Sequence, residues 1–435
     1  MEEIFVTKLR INKVRHLENL EIPLSETERK HLILTGKNGS GKTSVLEGIN
    51  VFYKKIIENN INQEKLNELE RMYKAHFSYL INYKNLLEDA EKSGDSYRIR
   101  GAKMQLTSTQ NSFNSIQSEI TKSAPCSLSI YPSIDKFKQK IEETFNSFLF
   151  KFFESKRTFS PKESKGPQKI DLKNKYDVSE NANENFVRQL VNLRLDLLDA
   201  KDAGKLHEAD MIEDWFRSFT NILKEIFEDN TLQLVFDRPS FNYNIITKAN
   251  EIFNLNQLSD GYSAFLSIVT ELIMRISGTQ FTLRPYDAQG VIMIDEVENH
   301  LHISLQKKIL PFLTSFFPKI QFIVTTHSPF VLSSIDNAVI YDLEKQERVE
   351  DLSAYSYTNI VKSYFGADEY SNEVKEKIVH YENLINKMQV ASESLLAEEK
   401  AQFYELKKYF EGLPKSLSPE LQLKINQLEL AQLAQ

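Results

Sequence analysis

The chain has 435 residues, of which 41% are hydrophobic and 26% charged, with a net charge of −7 at pH 7. Those proportions fit a soluble globular protein of one large or two to three ordinary domains, and the acidic balance excludes a surface generally coated with nucleic acid, leaving room only for a local basic groove. One cysteine, Cys126, excludes an internal disulfide and a cysteine-rich zinc site. No apolar run approaches the ~20 residues of a membrane span, and Met1-Glu2-Glu3-Ile4 has no basic, signal-like start, so the expected setting is the cytoplasm, with no membrane partner.

Ile4–Ile11 and Leu20–Leu24 are expected to be short strands flanking a polar turn with Lys13, Arg15 and His16. The apolar run His31-Leu32-Ile33-Leu34 predicts a buried strand, and a helix is expected from Ser44 to about Ile57. Between them lies Gly36-Lys37-Asn38-Gly39-Ser40-Gly41-Lys42-Thr43, which fits the phosphate-loop pattern G-x-x-x-x-G-K-[ST] in the strand–loop–helix context that the chemistry requires. Its glycines let backbone N–H groups turn toward phosphate oxygens, and the following helix adds the positive end of its dipole. Gly36, Asn38, Gly39, Ser40, Gly41, Lys42, Thr43 and Ser44 are therefore the candidate nucleotide-binding residues. Lys42 is expected on the β- and γ-phosphates of ATP, and the Thr43 hydroxyl on Mg²⁺.

Residues 58–124 change character. Leu66, Leu69, Met72, Tyr73, Phe77 and Leu80 recur at helical spacing in a polar, proline-free stretch that breaks at Ser93-Gly94-Asp95-Ser96. This predicts an antiparallel helical hairpin with its tip near Gly94, projecting as an arm. Strands are expected at Leu128–Tyr131 and Phe148–Phe153, a charged loop at Ser160–Glu184, and a helix over Phe186–Phe227 with the sole tryptophan, Trp215, in the core. Further strands are expected at Thr231–Asp237 and Tyr243–Ile246, a helix at Tyr262–Ser277, and buried strands at Val291–Ile294, Gln321–Thr325 and Val339–Leu343. Beyond Asp351 the pattern is mostly helical, ending in an amphipathic tail over Leu421–Leu430. The expected domains are thus 1–57, 58–124, 125–345 and 346–435.

Two carboxylates, Asp295 and Glu296, close the apolar strand Ile292-Met293-Ile294. Such a pair suits an Mg²⁺ contact through Asp295 and a water-polarising role for Glu296. His327 follows the next strand, at the sheet edge where ligands bind in parallel sheets. Leu258-Ser259-Asp260-Gly261-Tyr262 precedes a helix, with Ser259 placed as an N-cap and Gly261 permitting close approach.

Together these motifs resemble the ATP-binding-cassette class of ATPases. In that class the L-S-x-G stretch faces the nucleotide of an opposite subunit, so the resemblance implies that Ser259 and Gly261 complete a site whose Lys42 belongs to a partner in a homodimer or larger homo-oligomer. Leu9-Arg10-Ile11-Asn12-Lys13-Val14-Arg15 and the head split by a hairpin are similar to the SMC/RecF branch. Asp295-Glu296-Val297-Glu298-Asn299-His300-Leu301-His302 is similar to the D-E-P-E-x-H-L-H-P of OLD-like defence ATPases, with Val297 in place of proline; this implies Glu298 and His300 near the dimer interface. No glutamine matches the Q-loop of the class, and Lys156 and Arg157 stand in its place as phosphate contacts. The expected fold is accordingly α/β: an ATPase head with a mixed sheet and flanking helices, split by a helical coiled-coil hairpin and extended by C-terminal helices.

The segment after Tyr341 lacks the acidic D-x-D of a TOPRIM nuclease, so the expectation is an ATPase without its own nuclease. Its make-up resembles the ATPase subunits of two-gene anti-phage systems, the Septu type first and the PARIS type a close second. That resemblance implies a nuclease or effector partner of HNH or TOPRIM kind. The alternative is a RecF- or SMC-like repair ATPase binding duplex DNA, for which Lys151, Lys156, Arg157, Lys162, Lys165 and Lys169 form a candidate phosphate-binding patch.

Overall fold

The computed structural model describes residues 3–58, 63–142, 148–164, 166–167, 170, 172–173, 176–277, 288–349, 372–390 and 397–412. The chain divides into two compact units, Met1–Tyr355 and Ser356–Gln435.

The first unit is built on three sheets. β1 (Phe5–Val14) lies between β2 (Leu17–Pro23) and β4 (Cys126–Tyr131) in an antiparallel sheet. The central sheet has six strands in the order β12 (Glu347–Val349), β11 (Ala338–Asp342), β3 (His31–Thr35), β10 (Ile320–Thr325), β9 (Gln289–Ile294) and β5 (Phe148–Phe153). All its pairings are parallel except β11 with β12. Strands β3, β9 and β10 are buried at every residue, as a parallel sheet covered on both faces requires. The two sheets are joined by glutamine side chains. Gln321 on β10 accepts from the Val6 N–H (2.7 Å) and donates to its carbonyl (2.9 Å), and Gln289 on β9 accepts from the Ile4 N–H (3.1 Å). Each thereby satisfies edge groups that would otherwise be buried without a partner.

α1 (Lys42–Ile57) packs Val45, Leu46, Ile49, Phe52 and Tyr53 into the core between these sheets, with the Tyr53 ring stacked on Phe150 at 3.5 Å. The hairpin comprises α2 (Gln63–Ser93) and α3 (Ser96–Ser123). Its turn follows from local chemistry: Gly94 takes φ 71°, and the Asp95 carboxylate caps α3 by accepting from the Tyr97 and Arg98 N–H groups. At its base Tyr73, Phe113, Ile116 and Ile120 join the core, with the Arg10 guanidinium 5.8 Å above the Tyr73 ring. Toward the tip Tyr97 (88%) and Met104 (77%) are exposed.

α4 (Ile134–Glu142) lies between β4 and β5, and the helix expected over Phe186–Phe227 is two: α5 (Phe186–Asp202) and α6 (Leu206–Phe227). Gly204 at φ 70° ends the first helix, with the Lys205 N–H returning to the Ala200 carbonyl. Trp215 is buried on α6, stacked against Phe219. The meander β6 (Gln233–Asp237), β7 (Asn242–Ile246) and β8 (Ile252–Asn254) follows, the last strand being one that periodicity did not single out. It leads to α7 (Asp260–Ser277), a helix buried almost along its whole length. α8 (Ile303–Phe316) links β9 to β10, and a short helix, Pro329–Leu332, follows β10.

In the second unit, the helices Asn372–Val390 and Ala397–Glu411 form a core of their own from Ile378, Tyr381, Leu384, Ile385, Phe403, Leu406 and Phe410. The tail Leu421–Leu430 lies outside the described residues. Among the described residues no helix is long and apolar enough to cross a membrane.

Candidate functional site

Three neighbouring strands of the central sheet, β3, β10 and β9, end side by side, and the candidate residues leave from those ends. The loop after β3 holds Gly36, Gly39 and Gly41 at φ 131°, 84° and 99°. Side chains at these three positions would be strained, and a Cβ on Gly36 would also lie 2.9 Å from Ser40 Oγ. Asn38 is exposed at the loop's crest, Ser40 is buried beneath it, and Ser44 is half-buried in the first turn of α1. The Lys42 ammonium folds back on the loop, donating to the carbonyls of Gly36 (2.8 Å) and Lys37 (3.1 Å). Burial holds it below the usual lysine range, against the pull of Glu296, Glu298 and Asp295.

Asp295 is the junction of the site. Its carboxylate accepts from Thr43 Oγ1 on one oxygen (2.9 Å) and from Thr325 Oγ1 on the other (2.6 Å). Only 2% of Asp295 is exposed, so those hydroxyls replace its water. Glu296 follows in a left-handed backbone conformation, φ 43°, with its N–H on Thr325 Oγ1 (2.7 Å). Thr325 thus fixes both acidic residues, a role that the sequence motif did not announce.

The turn carrying Glu296 is held from the opposite side by Arg157. Its guanidinium donates to the carbonyls of Asp295 (2.8 Å), Glu296 (2.9 Å) and Val297 (2.9 Å). Of the two expected phosphate contacts, Arg157 is corrected, since it is buried and engages backbone, while its neighbour Lys156 is exposed. The fork of the guanidinium explains why arginine serves where a lysine would satisfy fewer carbonyls. Burial brings Arg157 down to about 10, opposed by Glu298, Asp295 and Glu296. Lys151 of the candidate DNA patch is likewise buried, donating to the Val178 (2.9 Å) and Glu180 (2.7 Å) carbonyls. Lys162 is paired with Glu184 at 2.7 Å, and Lys165 and Lys169 lie outside the described residues.

His327 is half-buried after β10, and its N–H donates to the Glu298 carboxylate. Burial first, then the Lys42 charge, holds the imidazole below the ordinary histidine range. The cap of the following short helix is Ser328, which accepts from the Phe330 N–H and donates to Gln306 Oε1 at 2.7 Å. Glu298 is pushed above the usual carboxylate range by burial, and its Oε2 has no partner among the described residues. His302 caps α8 and His300 is exposed at φ 64°.

Ser259 and Gly261 sit elsewhere on the surface of the same unit. Ser259 is exposed at the start of α7 and lines a cavity of about 630 Å³ with Phe227 and Tyr262, whose rings stack at 4.0 Å. No hydrogen bond among the described residues joins it to the phosphate loop of its own chain. The glycine at 261 answers a packing need inside the chain: a Cβ there would lie 2.9 Å from the His300 carbonyl oxygen.

The loop fits a triphosphate on the structure's own terms. Ser40 Oγ and Thr35 Oγ1 are buried without partners among the described residues, and the loop's glycines hold the positive φ that lets backbone N–H groups turn inward around a phosphate. Thr43 and Asp295 are the oxygen donors suited to Mg²⁺.

Residues 32–333 match the family model AAA_21, described as "AAA domain, putative AbiEii toxin, Type IV TA system". The chain belongs to the AAA_21 family. This AAA_21 chain is 26% identical over 351 residues to the Septu protein PtuA of Bacillus mycoides (strain KBAB4), covering 79% of this chain and 41% of that protein. It is 37% identical over 105 residues to the "Retron Ec83 probable ATPase" of Escherichia coli, covering 24% of this chain and 19% of that one. To the "Retron Vc95 probable ATPase" of Vibrio cholerae serotype O1 biovar El Tor it is 23% identical over 380 residues, covering 74% and 70%. The AAA_21 chain therefore spans less than half of PtuA and about a fifth of the Ec83 protein. The Septu resemblance drawn from the motifs is matched by a curated relative.

Proposed function

We propose that this AAA_21 chain is the ATP-binding and ATP-hydrolysing subunit of an anti-phage defence complex, and that ATP joins two copies whose shared sites control a partner nuclease or effector. The observation that carries the reading is the Thr43–Asp295–Thr325 chain of hydrogen bonds, which couples the phosphate loop to the strand end bearing Glu296. Similarity to Septu and retron proteins supports the defence setting.

Bound Mg²⁺·ATP supplies the γ-phosphoryl group that passes to water. Lys42 neutralises the terminal phosphates once its ammonium leaves the Gly36 and Lys37 carbonyls. Thr43 and Asp295 hold the ion. Glu296, fixed by Thr325 and Arg157, orients and deprotonates the attacking water. His327, tied through its N–H to Glu298, senses the γ-phosphate. Ser259, exposed at the start of α7, reaches the phosphate of a second copy.

The test is co-expression of the chain with the products of its neighbouring reading frames, followed by mass measurement with and without Mg²⁺·ATP. The proposal expects ATP-dependent growth in mass and co-purification of a nuclease or effector. A chain that stays monomeric with bound ATP, and brings no such partner, overturns it.

A further inference from the structure

α7 is buried from Ser263 to Ser277, yet it carries a polar ridge. Ser259, Ser263, Ser267, Glu271 and Arg275 follow one another at i, i+4 spacing, each a turn beyond the last. Four of the five are buried and bound to the stretch that runs from β5 to α5. Ser263 Oγ accepts from the Phe159 N–H at 2.8 Å. Asn183 Nδ2 donates to the Ser267 carbonyl (3.2 Å), and the Asn183 N–H donates to the Glu271 carboxylate (2.8 Å). The Arg275 guanidinium donates to the carbonyls of Asp177 (2.9 Å) and Glu180 (2.6 Å). Ser259 is the exception: it is exposed, and its hydroxyl makes no hydrogen bond among the described residues.

Two residues that bracket Ser259 hold the same short piece of main chain. On the helix side, the Ser263 N–H closes the first turn on the Ser259 carbonyl (2.9 Å) while its hydroxyl holds Phe159. On the loop side, Asn256 Nδ2 donates to the Pro161 carbonyl (2.6 Å), and its Oδ1 accepts from Asn242 Nδ2 (3.3 Å). Phe159 is itself fixed, being buried with its ring edge-on to Phe186 of α5 at 6.0 Å. An apolar side chain at 263 would suit a buried helix but would leave the buried Phe159 N–H without its acceptor. Neither Ser263 nor Asn256 hydrogen-bonds to the phosphate loop, to Glu296 or to His327 of its own chain among the described residues.

We infer that Ser263 and Asn256 are positioning residues for Ser259. By gripping the Phe159–Pro161 main chain from both sides of the L-S-x-G stretch, they fix where one copy presents Ser259 to a phosphate held by another. This role rests on the proposed sharing of ATP sites between two copies, and it places the effect of either residue at the nucleotide of the other copy.

The experiment measures hydrolysis by the full chain in mixtures of variants with Mg²⁺·ATP. Ser263→Ala alone is expected to bind ATP within about twofold of wild type and to hydrolyse it about tenfold more slowly. Mixed with Lys42→Ala it is expected to recover, because the working site then takes Ser259 from a copy whose Ser263 is intact. Mixed with Ser259→Arg it is expected to stay slow, because the single site with both Lys42 and Ser259 takes that serine from the Ser263→Ala copy. Arg157→Lys, which loosens the Glu296 turn of its own chain, is expected to show the opposite pattern. Asn256→Ala, at an exposed residue, is the second variant and is expected to follow Ser263→Ala; thermal unfolding verifies that each is folded. Recovery with Ser259→Arg in place of Lys42→Ala, equal behaviour in the two mixtures, or wild-type hydrolysis by both variants overturns the inference. The mixture of Lys42→Ala with Ser259→Arg is the control. Its silence removes the shared site and the positioning role together, whereas its recovery with any of the three preceding results removes the positioning role alone.

Discussion

Thr43 Oγ1 donates to Asp295 Oδ2 at 2.9 Å across 252 residues of sequence. The second Asp295 oxygen is taken by Thr325, so one carboxylate joins the first turn of α1 to the ends of β9 and β10. Asp295→Asn keeps the shape but replaces one acceptor oxygen by an amide donor facing a hydroxyl. Mg²⁺-dependent tightening of ATP binding is expected to fall about tenfold or more, with Mg²⁺-free binding little changed. Nucleotide titrations with and without Mg²⁺ measure this, and an unaltered Mg²⁺ effect would remove Asp295 from the ion site.

Arg157 is the most economical point at which to loosen the Glu296 turn. Arg157→Lys retains a cation but lacks the fork that reaches three carbonyls. Hydrolysis is expected to slow at least about tenfold while ATP affinity stays within about twofold, and the thermal midpoint to drop. Arg157→Ala, which leaves the carbonyls unpaired, is expected to lower the midpoint further. A fall in affinity with unchanged turnover would return Arg157 to the phosphate-contact role.

If Ser259 acts on the nucleotide of a second copy, two dead variants restore each other. Lys42→Ala and Ser259→Arg are each expected to be inactive alone. Mixed, they form dimers in which one of the two sites has both residues intact, and hydrolysis reappears. A mixture as silent as its components would place Ser259 outside a shared site.

His31 gives the fold a defined pH sensitivity. It is buried at the start of β3, its Nδ1 accepts from the Phe322 N–H at 3.0 Å, and burial lowers its pKa from 6.5 to about 4. The folded state thus binds fewer protons than the unfolded state between those values. Its contribution is complete above pH ~6.5 and is lost as pH falls toward ~4, amounting to about 3 kcal/mol over the window. Urea midpoints measured from pH 7 to 4 are expected to fall more steeply in the wild type than in His31→Gln. Equal slopes would show that His31 is not the group responsible.

The legible parts of this molecule were those in which local chemistry and local geometry coincide. The phosphate loop is readable because glycines at 36, 39 and 41 meet positive φ, and the hairpin tip because Gly94 and Asp95 make a turn and a cap by themselves. What escaped depends on contacts distant in sequence. Arg157 was expected on phosphate, yet its partners are main-chain carbonyls from a turn 138 to 140 residues away, which no side-chain pattern encodes. Thr325 stood in plain view within an apolar strand, but its pairing with Asp295 follows only from the parallel neighbouring of β10 and β9. Gly261 also meets a constraint inside the chain, the His300 carbonyl, which the L-S-x-G pattern does not announce. The break at Gly204 was present in the sequence and was overridden by the apolar periodicity on either side of it.

The central claim is that Glu296 readies water for attack on ATP held by the same chain's phosphate loop. Single-turnover hydrolysis by Glu296→Gln, with nucleotide affinity and mass measured in parallel, addresses it most directly. The expected result is ATP affinity within about twofold of wild type, hydrolysis slower by about 100-fold or more, and accumulation of ATP-bound dimers. Equal hydrolysis rates in the two proteins would contradict the account.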